Sequence, residues 1–230
     1  MLKGLLFDKD GTLFDFGGTW NAWGRDVLDH LSDGDPARLE AMARALRFDL
    51  RGGGFQPDSP VIAETNREVA ELLLQYVPGR SLVQIETFLT AEAVKAPLVP
   101  VTDLPALMSG LRDLGYVLGV MTNDAEASAR HQVDLAGLTP HLSFVAGFDS
   151  GHGAKPDPDP LLAFARQAEL DPARVAMIGD STHDLMAGRA AGMICVGVLS
   201  GMAPIEELAP HAHVVLPDIS HLPEWLSARG

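Results

Sequence analysis

Apolar runs too short for helices, each ending in a polar cluster, recur along this chain. The first reads Gly-Leu-Leu-Phe from Gly4 and ends at Asp8-Lys9-Asp10-Gly11-Thr12. Tyr116 to Met121 ends at Thr122-Asn123-Asp124, Val175 to Ile178 at Gly179-Asp180-Ser181, and Met193 to Leu199 at Ser200-Gly201. Val214 to Leu216 is a shorter candidate. Such runs fit buried parallel strands with polar residues at their C-terminal ends.

Helical patterns separate the runs. Leu161, Phe164, Ala165 and Ala168 fall at i, i+3, i+4 and i+7, and Leu104, Leu107, Met108 and Leu111 form a second stripe. Pro158, Asp159 and Pro160 suit the start of the first of these helices. The alternation predicts an α/β fold with a Rossmann-like, mainly parallel sheet. Ligands of such sheets bind beyond the C-terminal strand ends, where the polar clusters lie.

Residues 16–97 break the alternation. Val27, Leu28 and Leu31 mark one helix, and Leu39, Met42, Ala43 and Leu46 a second. Val61 to Tyr76 and Leu82 to Val94 read as two more. Arg47 to Ser59, with Gly52-Gly53-Gly54, reads as a flexible loop. The expected organisation is an α/β core of residues 1–15 and 98–230 with an inserted helical domain at 16–97. Hinges are expected near Phe16-Gly17-Gly18 and Ala96-Pro97.

Composition narrows the function. The 230 residues carry a net charge of −14, which disfavours nucleic acid and anionic membranes as partners. No run of roughly 18 apolar residues suggests a membrane helix, and no targeting segment is read at the N-terminus. The single Cys195 leaves no internal disulfide and no multi-cysteine zinc site. These features favour the cytoplasm.

The strand ends carry the chemistry. Residues two apart on an extended segment point the same way, so Asp8 and Asp10 can enter one site. Paired carboxylates repel unless a divalent cation or a raised pKa reconciles them. Lys9, between them, is expected to point away from the pair. Thr122 offers a hydroxyl, Lys155 is one of only four lysines, and Asp180 and Asp184 supply two more acids. Alternatively, Asp184 supports a helix N-terminus. His211 and His213 read as surface residues, His183 as a polar cap, and Trp20 and Trp23 as core packing.

In this order, Asp-x-Asp-Gly-Thr, a hydroxyl residue, Lys and Gly-Asp-x-x-x-Asp resemble the haloacid dehalogenase superfamily. Within it, the chain is similar to the phosphoglycolate phosphatase group. The resemblance spans nearly the whole sequence and likens residues 16–97 to that superfamily's helical cap, which closes during transfer. It implies a Mg²⁺-dependent phosphatase acting on a small phosphorylated metabolite, 2-phosphoglycolate among the candidates. Asp8 would be the nucleophile and Asp10 the general acid and base. Thr122, Asn123 and Lys155 would hold the phosphoryl group. Asp8, the Asp10 backbone carbonyl and Asp180 would bind the metal, with Asp184 either a further ligand or a partner of Lys155. Arg47 and Arg51, flanking the glycine loop, are candidates for a substrate carboxylate or second phosphate. The alternatives are a phosphosugar mutase of the same superfamily and a non-catalytic phosphate-binding regulator. The second acid, Asp10, argues against a dehalogenase, and Lys95 alone is a poor candidate for the Schiff-base lysine of a phosphonate hydrolase.

Overall fold

The computed structural model describes residues 1–229, which divide into two compact units. One comprises Met1–Asp15 and the chain from Pro100 onward, and the other Phe16–Val99.

The first unit opens with β1 (Gly4–Phe7), buried at every residue. The second unit follows. It contains α1 (Phe16–Ser32), α2 (Pro36–Ala45), the two-residue strands β2 (Phe48–Asp49) and β3 (Gly54–Phe55), α3 (Asn66–Leu74) and α4 (Leu82–Ala93). The glycine loop is therefore the turn of a small antiparallel hairpin, in which Phe48 pairs with Phe55. Gly53 supplies the positive φ (73°) that the turn requires. Phe16-Gly17-Gly18, the expected hinge, forms the first turn of α1, where the second unit begins. The apolar pattern from Val61 to Tyr76 splits into a 3₁₀ turn and α3, because the Thr65–Glu68 capping box starts a new helix.

The first unit resumes with α5 (Leu104–Asp113), β4 (Val117–Met121), α6 (Glu126–Leu135), β5 (Phe144–Ala146) and α7 (Asp159–Gln167). It ends with β6 (Val175–Gly179), α8 (Thr182–Ala190), β7 (Ile194–Val198), α9 (Ile205–Leu208), β8 (Val214–Leu216) and α10 (Leu222–Ser227). Six strands form one parallel sheet in the order β5-β4-β1-β6-β7-β8. This is the expected Rossmann-like α/β architecture. The edge strand β5 lies outside the apolar runs that the sequence marks as strands.

Two glycines let α7 approach the sheet. A Cβ on Gly119 would lie 2.8 Å from the Phe164 ring, and one on Gly4 would lie 2.8 Å from Leu170 Cδ1. Phe164 joins Leu6, Met121, Leu161 and Met177 in the fully buried core beneath that face. The central strand β1 therefore has β4 on one side and β6 on the other, and the chain order reverses around it. The residues after β1, β4 and β6 emerge at the position where such sheets bind ligands. No helix among the described residues is long and apolar enough to cross a membrane.

Candidate active site

Asp8 directly follows β1, and its backbone N–H donates to the Ile178 carbonyl of β6 (2.8 Å). The residue is 7% exposed. Lys155 reaches the same point from the loop before α7. Its Nζ lies 2.5 Å from Asp8 Oδ1, 2.6 Å from Asp184 Oδ1 and 3.0 Å from the Met121 carbonyl. Three acceptors thus satisfy the three ammonium donors in a buried setting.

Asn123 holds Lys155 in place. Its Nδ2 donates to the Lys155 carbonyl (2.8 Å), and its Oδ1 accepts from the Lys155 backbone N–H (2.9 Å). The side-chain amide of Asn123, a candidate for substrate binding, thus clamps the Lys155 backbone. Thr122, 2% exposed, accepts at Oγ1 from the Asp124 N–H (3.1 Å).

Asp184 is both a partner of Lys155 and a cap of α8. Its Oδ2 accepts from the Ser181 N–H (3.0 Å) and the Ser181 hydroxyl (2.7 Å). Ser181 in turn caps the Asp184 N–H, completing a capping box. Asp180 Oδ1 accepts from the Thr12 hydroxyl (3.1 Å). Glycines make room for both acids. A Cβ on Gly201 would lie 1.8 Å from Asp180 Oδ2, and one on Gly179 would lie 2.3 Å from Asp184 Cγ. Thr12, Ser181 and Gly201 were not identified from sequence as site residues. Ser181 carried a readable signal, a Ser three residues before an acid at a helix start.

Asp8, Asp180 and Asp184 each bring one carboxylate oxygen within 4.8 Å of the others. Burial pushes Asp8 up from the ordinary 3.8 to about 7; Lys155 opposes the rise, and Asp184 and Asp10 add to it. Burial, then Asp8 and Asp184, also push Asp180 well above the carboxylate range. Burial works against the Lys155 charge, but Asp184 and Asp8 outweigh it and the ammonium is held up. The pocket therefore has a surplus of buried negative charge presented by oxygen ligands. A hard divalent cation such as Mg²⁺ fits that donor set.

Asp10 is placed differently. Its carboxylate is 13% exposed and lies 2.6 Å from Lys9 Nζ. Contrary to expectation, Lys9 does not point away from the pair. The strand ends at Phe7, the chain bends at Lys9, and strict alternation lapses there. The Lys9 side chain is fully buried, and its ammonium also faces Asp124 Oδ2 (3.3 Å) and Gln132 Oε1 (2.5 Å).

The two candidate arginines lie in the second unit and are exposed. Arg47 Nε donates to Asp58 Oδ2 (2.9 Å), so its guanidinium already has a carboxylate partner. The Arg51 backbone N–H donates to Asp49 Oδ1 (2.9 Å), which shapes the hairpin turn.

A family model described as haloacid dehalogenase-like hydrolase matches residues 2–192. The chain is 30% identical to a phosphoglycolate phosphatase of Rhodospirillum rubrum over 240 aligned positions, covering 98% of this chain and 91% of that protein. It is 34% identical over 125 residues to the probable phosphatase IndB of Dickeya dadantii, and that match spans about half of each (53% and 54%). The crystal structure of a predicted phosphoglycolate phosphatase from Haemophilus somnus superposes with a TM-score of 0.73 at 18% identity, over 98% of both chains.

Proposed function

We propose that this chain, which belongs to the haloacid dehalogenase-like hydrolase family, is a phosphatase that hydrolyses a small phosphomonoester with Asp8 as nucleophile. The observation that carries the reading is the buried Asp8–Lys155–Asp184 contact beside Asp180, at the C-terminal end of the central strand.

In this reading, one Asp8 oxygen attacks phosphorus as the bond to the ester oxygen breaks. The leaving oxygen takes a proton from Asp10, and the product is an aspartyl phosphate. Water then attacks that phosphorus, Asp10 accepts its proton, and phosphate leaves with Asp8 regenerated. Lys155 counters the charge on Asp8 and on the transferring oxygens, and the Thr122 hydroxyl and adjacent backbone N–H groups hold those oxygens. Asp8, Asp180 and the Asp10 backbone carbonyl would hold a magnesium ion, with Asp184 close enough to contribute. When bound, that ion offsets the charge of the carboxylates and the phosphoryl group.

The unit Phe16–Val99 is assigned to substrate selection, as a helical cap. Identity over nearly its full length to a protein named phosphoglycolate phosphatase supports 2-phosphoglycolate as the first substrate to test. The test is release of free phosphate, with Mg²⁺, from a panel of small phosphomonoesters that includes 2-phosphoglycolate. Release from at least one ester is expected. Transfer of phosphate between positions of a sugar, with none released, would instead indicate a mutase. Binding without turnover of any ester would indicate a regulator.

A further inference from the structure

Lys9 is one of two fully or nearly buried lysines at the strand ends, and the mechanism above does not use it. Burying an ammonium costs several kcal/mol unless acceptors surround it, and an apolar residue would fill the same space without that cost. Here the acceptors come from three segments. Asp10 lies beyond β1, Asp124 lies in the loop after β4, and Gln132 lies within α6 and is itself fully buried.

We propose that Lys9 is a positioning residue that, anchored by Asp124 and Gln132, holds Asp10 through its Oδ2 so that the other oxygen, Oδ1, carries the proton passed to the leaving group. Asp10 follows the bend at Lys9 and forms an isolated bridge to Phe14, beyond the end of the strand whose alternation would set its direction. The backbone helps through a tight turn, in which the Leu13 and Phe14 N–H groups both donate to the Lys9 carbonyl (2.9 and 3.1 Å). A 2.6 Å ion pair ties the Asp10 side chain to Lys9, and Gln132 and Asp124 face the same ammonium. An Asp10 carboxyl held in this way presents its Oδ1 proton without first losing rotamer freedom. The inference rests on the phosphatase reading and on Asp10 as its general acid.

The experiment compares two esters in the Mg²⁺-loaded protein, using kcat/KM, which reports only steps up to expulsion of the leaving group. An alkyl phosphate needs a proton donor for its alkoxide, whereas p-nitrophenyl phosphate expels a stable anion and needs little help. For Lys9→Met, kcat/KM on the alkyl ester should fall about 100-fold, the lower end of what general acid catalysis supplies. The aryl ester should fall only severalfold. Gln132→Leu, which keeps the ion pair but removes one anchor, should show the same selective loss at smaller size. Equal loss on both esters, or loss on neither, would overturn the proposal. If Lys9→Met does not fold, an unchanged alkyl-to-aryl ratio in Gln132→Leu overturns it. Failure of the wild type on both esters and on every phosphomonoester of the panel would overturn the phosphatase reading, and this inference with it.

Discussion

Lys155 is the residue on which the buried charge depends. Without it, Asp8 and Asp184 would face each other across a site that also contains Asp180, all three at least nine-tenths buried. Removing one member of a buried ion pair typically costs about 3–5 kcal/mol, because the remaining charge is left unpaired. Lys155→Met should therefore lose stability of that order in urea denaturation without divalent cations, seen as a lower midpoint at unchanged slope. A midpoint within error of wild type would mean that the acids are neutralised in some other way. At this scale, much of the arrangement was legible in the sequence. Asp8, Lys155, Asp180 and Asp184 each stand beside a run that reads as a strand or a helix start, and the structure brings them together. Lys9 was misread because period-2 alternation was extended two residues past the end of β1. Its partners Asp124 and Gln132 lie more than a hundred residues away in sequence, and no local pattern links them to it.

Among the elements, the start of α8 joins folding to the site. The Ser181–Asp184 capping box satisfies helix N–H groups with the same carboxylate that meets Lys155. Ser181→Ala should cost about 1 kcal/mol as a lost cap. It should also weaken divalent-cation binding, because Asp184 Oδ2 loses the hydroxyl that orients it. Calorimetric titration with Mg²⁺ alongside thermal melting would register both effects. A stability loss with unchanged cation affinity would confine Asp184 to its structural roles. Most strands of the sheet were readable as continuous apolar runs that end in polar clusters, and the helices beside them as apolar stripes. β5, β2 and β3 have only two or three residues each, and the hydrogen bonds of neighbouring strands define them more than their own composition does. The break between Pro60 and Asn66 was carried by a capping box within an apolar pattern that looked continuous.

Over the whole molecule, the site's excess of acid makes stability depend on pH and on cations together. Asp8 is raised in the folded state from 3.8 to about 7, and Asp180 shifts the same way. The folded chain thus retains protons that the unfolded chain has released. This contribution to stability is fully present below pH 3.8 and is lost as pH rises towards about 7. A divalent cation competes with those protons, so its stabilisation grows over the same range. Added Mg²⁺ should raise Tm more at pH 8 than at pH 5, and an equal rise at both would place the cation elsewhere. The global charge of −14 adds to the repulsion that any anionic substrate meets, so cation and lysine act locally against the field of the whole protein. The parallel sheet and the helical character of the insertion were legible at this scale. Substrate identity was not, because it depends on surface loops, whose composition follows no readable code.

The most direct test of the central claim is to quench the protein in acid during turnover of a radiolabelled aryl phosphate and map the labelled peptide. Asp10→Asn would serve beside the wild type to slow release of phosphate from the intermediate. The account predicts label on the peptide containing Asp8, chased into free phosphate on further incubation and absent from Asp8→Asn. Phosphate release with no labelled peptide, or label that persists in Asp8→Asn, would contradict it.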